Sequence, residues 1–152
     1  MNEFNPLQTL HRHTSQLRSI SISISIFSFL FLALMLFISQ QRTQDPALMS
    51  LHYIGVVIAL VQIPLSFYIW KYIAQRMPLR YNERIIVGGF RMIMIIALLL
   101  CLGVVLFAGF AAVITGYAYP SAIIGGIALG SMLFHWPGEK RYRDFIEYLK
   151  SR

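Results

Sequence analysis

Apolar residues fall in four nearly unbroken blocks, Ile20–Ser39, Leu51–Trp70, Met92–Ile114 and Ala122–Trp136, with short polar stretches between them. A helix needs ~20 apolar residues to cross a hydrocarbon layer about 30 Å thick, and each block is near that length, the fourth being the shortest. The first opens with Ile20-Ser21-Ile22-Ser23-Ile24-Ser25-Ile26, an alternation that in water would read as a half-buried strand. In lipid a lone strand leaves its backbone N–H and C=O groups without partners, so a helix is expected instead. Ser21, Ser25 and Ser28 then share one face, expected to meet other helices, while Phe27, Phe31 and Leu34 turn towards lipid.

The second block carries Gln62 and Pro64 near its centre. Proline removes one helical hydrogen bond and commonly kinks the helix, leaving the Leu60 carbonyl without its usual donor; the Gln62 amide is one candidate substitute. The third and fourth blocks form a tight hairpin through Gly116-Tyr117-Ala118-Tyr119-Pro120-Ser121. Before this turn lie Ala108, Gly109, Ala111 and Ala112, and after it Ala122, Gly126 and Gly130 recur at four-residue steps. Such a stripe lets two helix backbones approach closely. Its expected partner is the third span, and a helix of another protein is the alternative. After the stop at His135-Trp136-Pro137-Gly138, the residues Tyr142, Phe145, Ile146 and Leu149 recur at helical spacing. This short amphipathic helix suits either the headgroup region of a bilayer or the surface of a partner.

Charge orients the blocks. Arg12 and Arg18 precede the first; Lys71, Arg76, Arg80, Arg84 and Arg91 lie between the second and third; Lys140, Arg141, Arg143, Lys150 and Arg152 follow the fourth. Only Arg42, offset by Asp45, falls on an alternate connection. The positive-inside rule then places both termini and the central loop in the cytoplasm. The expected fold is an all-α integral membrane protein with four transmembrane helices, N-in and C-in, and a C-terminal interfacial helix. As a single domain it divides into an N-tail (1–19), spans at 20–39, 51–70, 92–114 and 122–136, a basic loop and interfacial turn (71–91), and an amphipathic tail (139–152).

Composition agrees: 57% of residues are hydrophobic, 12% are charged and the mean hydropathy is +0.65, against about 25% charged in soluble domains. The net charge of +7 belongs to the span ends and to anionic lipid headgroups rather than to nucleic acid. The first block runs on without a small-x-small cleavage site and reads as an uncleaved signal anchor. No organellar presequence is evident, and a bacterial inner membrane is the expected location.

Candidate chemistry is sparse. Glu3, Asp45, Glu83, Glu139, Asp144 and Glu147 all fall outside the blocks, which argues against proton-coupled transport, since that usually relies on an ionisable group within the membrane. Cys101, the single cysteine, reads as a small buried hydrophobe. His11 and His13 lie in the N-tail, while His52 and His135 are expected at opposite faces and so cannot share a metal or haem. No cofactor is expected. Arg76, Arg80, Arg84, Arg91, Lys140, Arg141 and Arg143 form a cytoplasmic basic cluster; Arg80, Asn82, Glu83 and Arg84 within reach of the interface are the one candidate enzyme site. The expected role is a non-enzymatic subunit or assembly factor of a membrane complex, bound to other membrane proteins or to itself. A small oligomeric channel or carrier is the alternative, and an interfacial enzyme the third possibility.

Overall fold

The computed structural model describes residues 6–76 and 83–150, with side chains over 15–76 and 85–149. The described residues are almost entirely helical and contain no strand. Helix α1 spans Pro6–Ser39, a 3-10 turn covers Pro46–Leu48, and α2 (Ser50–Arg76), α3 (Glu83–Thr115), α4 (Ala118–Phe134) and α5 (Glu139–Lys150) follow. Three stretches, Ser15–Ser39, Pro46–Arg76 and Ile85–Thr115, are long and apolar enough to cross a membrane. At 17 residues, α4 rises only about 25 Å, and it makes a fourth candidate span only together with α5, from which it is bent by 71°. The helices outrun the apolar blocks because hydropathy marks where lipid contact is favourable, whereas a helix continues as long as its backbone bonds are made. The expected interfacial turn before Arg91 is thus a regular part of α3.

Helix α3 packs against α1, α2 and α4, while α1 and α2 each touch both α3 and α4 and meet one another little. Small and branched side chains make this possible: Ala97, Cys101, Val104, Val105, Ala108 and Ala112 of α3 are all fully buried. Leu32 of α1 and Ile124, Ala128 and Met132 of α4 complete this core. The face α1 presents runs through Leu17, Ser21, Ser28, Leu32 and Ser39, all buried, at steps of four and seven residues, one and two helical turns. Ser21 and Ser28 lie on it, and Ser25 is half-buried beside it. The serine hydroxyls turn back on their own helix, Ser21 Oγ donating to the Leu17 carbonyl at 2.9 Å and Ser28 Oγ to that of Ile24 at 2.7 Å.

Phe31 departs from expectation. Rather than facing outward with Phe27 and Leu34, it is half-buried, edge-on to Phe110 at 5.5 Å and seated over Gly109 of α3. A Cβ on Gly109 would come within 2.6 Å of the Phe31 ring, and one on Gly125 of α4 within 2.6 Å of Leu32. These two glycines form the seat of α1.

The stripe Ala122, Gly126 and Gly130 does not pack against α3, the expected intrachain partner. The buried side of α4 is instead Ser121, Ile124, Gly125, Ala128, Ser131 and Met132, and a Cβ on Gly126 or Gly130 would meet nothing within 4 Å. Both faces carry small residues, and Leu32 selects the one centred on Gly125.

The amphipathic tail also finds a third outcome. Phe145 and Leu149 of α5 are buried against Leu17, Ala74, Phe90, Ile93 and Met94, so α5 caps one end of the bundle itself. Phe90 meets Tyr142 edge-on at 5.1 Å and Phe145 at 5.7 Å, and Trp70 meets Tyr148 at 5.0 Å; such ring pairs contribute ~0.5–1.5 kcal/mol each beyond burial. The Arg18 Nε–H donates to the Pro137 carbonyl at 3.2 Å, tying α1 to the α4–α5 elbow. Arg18, Arg76, Arg91 and Arg141 therefore stand around one end of the bundle. At the other end the Asp45 N–H donates to the Thr115 carbonyl at 3.1 Å. Gly116 follows with φ 73°, where a Cβ would lie 2.7 Å from the Thr43 oxygen, so both conformation and space require glycine.

Replacing Gly125 by Leu is expected to destabilise the fold by about 1–3 kcal/mol through overpacking. Gly126→Leu is expected to change stability by no more than about 0.5 kcal/mol. Thermal unfolding of the purified variants in mild detergent checks the difference, and equal losses would contradict the assigned face of α4.

Candidate functional site

Two histidine–serine hydrogen bonds join α2 to α4. Nε2 of His52 lies 3.1 Å from Oγ of Ser121, and Oγ of Ser66 lies 2.8 Å from Nε2 of His135. The spacing is the same in both helices, 52 to 66 and 121 to 135, or 14 residues, so the two helices run parallel in one fixed register. That separation is about 21 Å along the axes, so the histidines stand near opposite ends and cannot share a ligand. Among the described residues no group of His, Cys, Asp and Glu could hold a metal ion.

A serine beside a histidine is the core of a nucleophilic site, and the Ser66–His135 link, with the shorter contact and Cys101 beside it, is the one to weigh. A hydroxyl has one proton to donate. Ser66 Oγ also lies 2.6 Å from the Ile63 carbonyl, to which it donates, and the tautomer of His135 sets which partner donates in the 2.8 Å contact with Nε2. The Cys101 thiol, 3.8 Å off, is a weak third contact on the same oxygen. A nucleophilic serine hands its proton to the imidazole, and here the Ile63 carbonyl competes for that proton at 2.6 Å. Ser66 thus joins α2, α3 and the end of α4 as a structural bridge; Phe67 lies tilted against the His135 ring at 4.5 Å. At the His52–Ser121 link the His52 ring meets Tyr117 edge-on, and its Nδ1 is buried without a partner.

Gln62 and Pro64 occupy the middle of α2, which continues as one helix through the proline. The Gln62 side chain is not turned back to the Leu60 carbonyl. It lies over Gly103 of α3, where a Cβ would come within 3.2 Å of Oε1, and that oxygen is buried without a hydrogen bond.

Two cavities flank the links. One, of about 200 Å³, lies where α2, α3 and α5 meet, beneath the elbow: Ser66 and His135 form its inner end, Phe90 and Met94 one wall, and Arg141 and Asp144 its mouth. The other, of about 220 Å³, is apolar apart from His52 and is lined by Met49, Tyr53, Val56 and Ile123. Of the basic cluster, Arg141 is half-buried at the first cavity, and burial lowers its pKa while the Asp144 carboxylate raises it. Lys140 and Arg143 are exposed, Arg91 is half-buried, and the Arg76 guanidinium lies over the Tyr72 ring at 4.7 Å. Arg80 and Asn82 lie outside the described residues, as do the side chains of Glu83 and Arg84.

Nothing local marks the two links in the sequence, because each joins residues 69 apart; the shared offset is the only trace. Ser66→Ala removes the hydrogen-bond partner of a buried ring nitrogen and is expected to cost about 1–3 kcal/mol. A double-mutant cycle with His135→Leu, read by unfolding in detergent, is expected to show that this loss is coupled to the histidine. A serine-directed fluorophosphonate is expected to leave Ser66 unlabelled.

No protein family model matches the chain, and no curated protein and no solved structure is significantly similar to it.

Proposed function

We propose that this chain is a non-enzymatic subunit or accessory factor of a membrane complex, working by contact between its helices and those of another membrane protein. The supporting observation is the unused glycine face of α4. The fold fills the space over Gly109 and Gly125 with side chains of α1, yet leaves Gly126 and Gly130 open. In a bilayer an open small-residue face is where a second helix gains most from close packing, because lipid offers no hydrophobic driving force of its own. Ile123 and Ile127 stand exposed beside it as ridges.

The setting follows from apolar length and charge. Three helices, or four with the bent α4–α5 pair, are long enough to cross a membrane, and Arg18, Arg76, Arg91 and the basic residues of α5 gather at one end. By the positive-inside rule that end is cytoplasmic, with both termini there, in a bacterial inner membrane whose anionic headgroups meet the basic cluster. A channel or carrier finds less support: Gln62, the polar residue central to α2, is directed onto Gly103 rather than into an open path. The back-bond of the Ser66 hydroxyl to the Ile63 carbonyl likewise gives a serine nucleophile less support.

Gly126→Ile and Gly130→Ile are expected to abolish co-purification of the partner from native membranes in mild detergent, with the thermal stability of the chain itself unchanged. A stoichiometric complex that survives both substitutions would overturn the assignment of this face.

A further inference from the structure

The cavity under the α4–α5 elbow plays no part in the glycine face, and of the two links it touches one, Ser66–His135, both of whose side chains line it. Most of its lining is hydrocarbon and aromatic, Phe90, Ile93, Met94 and Ala97 of α3 with Trp70 of α2; Ser66 and His135, already bonded to each other, stand at its inner end, and Arg141 stands at its mouth. A space of about 150 Å³ lined by such side chains admits one benzene, so about 200 Å³ holds a short length of alkyl chain. Arg141 is half-buried and makes no ion pair within 4 Å among the described residues. Asp144 also lines the cavity, but it is exposed and its carboxylate is screened by solvent, whereas the Arg141 guanidinium is half-buried; on α5, Lys140 and Arg143 precede Asp144 and Glu147 follows it. A greasy slot ending in one sheltered guanidinium matches a particular chemistry, an acyl chain attached to a phosphate. Arginine suits that head because its planar fork binds phosphate oxygens in pairs.

We propose that the cavity between α2, α3 and α5 is a binding site for one acidic phospholipid, with an acyl chain against Phe90 and Met94 and its phosphate on Arg141. This rests on the membrane reading above and goes beyond it, from a general attraction of basic residues for headgroups to a single built site. Lipid bound there stabilises the elbow, because it bridges α5 to α2 and α3.

Trp70 reports on the site. With Trp136→Phe, Trp70 is the sole tryptophan, and the full chain can be reconstituted in phosphatidylcholine vesicles. A small fraction of the lipid is brominated, either phosphatidylglycerol or phosphatidylcholine. The acidic brominated lipid is expected to quench Trp70 about fivefold more effectively, the preference one arginine confers on an anionic lipid. Arg141→Gln is expected to remove that preference, Asp144→Asn to increase it, and Lys140→Gln to leave it unchanged. Inorganic phosphate is expected not to relieve the quenching. Equal quenching by both lipids, a preference that survives Arg141→Gln, a loss shared by Lys140→Gln, or relief by free phosphate would each overturn the site. Failure of the protein to float with the vesicles would instead overturn the membrane reading on which it rests.

Discussion

Over the half of helix α3 that leads to Thr115, packing against α1, α2 and α4 together rests on mostly short buried side chains. Ala97, Cys101, Val104, Val105, Ala108 and Ala112 hold its surface close to its backbone on several sides at once, so neighbours approach from different directions without competing for one groove. Dispersion energy falls off within about an ångström of contact distance, and close approach along the length of α3 is therefore where cohesion concentrates. The placement of α1 and α2 on separate flanks, the hairpin with α4 and the return of α5 all follow from this slender central rod.

Water drives apolar surfaces together in soluble bundles, but a bilayer would give these helices no such push. What remains is fit and the satisfaction of buried polar groups. The chain uses both. Phe31 and Leu32 fit over Gly109 and Gly125, and the polar groups are bridged across helices by His52–Ser121 and Ser66–His135. Ser21 and Ser28 of α1 bond back to their own helix at the i−4 carbonyl, which satisfies the hydroxyl without fixing a neighbour. The unpartnered Gln62 Oε1 and His52 Nδ1 are the exceptions.

Four apolar blocks and the amphipathic tail were legible from hydropathy and period alone, and their positions match helices. The faces were not. On α4 two overlapping small-residue patterns occur one residue apart, Gly125 with Ala128 and Gly126 with Gly130, and period cannot choose between them; Leu32 of α1 does. Phe31 carries the same apolar signal whether it meets lipid or a glycine. The tail's Phe145 and Leu149 declared a buried face, but what buries it, Phe90 and Leu17, lies far away in sequence. The histidines looked like separate interfacial residues because hydrogen bonds between residues 69 apart leave no local mark.

The paired His–Ser links also restrict how the molecule can move. Two pins set the same distance apart on parallel helices act like the rungs of a ladder. For α4 to slip along α2 by one helical turn, about 5.4 Å, both rungs must break together. A slip in one direction sets Gly125 opposite His52, and a slip in the other sets Ser131 opposite Ser66, so neither restores a histidine–serine pair at both ends. Sliding is thus opposed at both ends at once. Whatever displaces one of these two helices along its axis must therefore carry the other with it, and the pair meets α3 as a single unit.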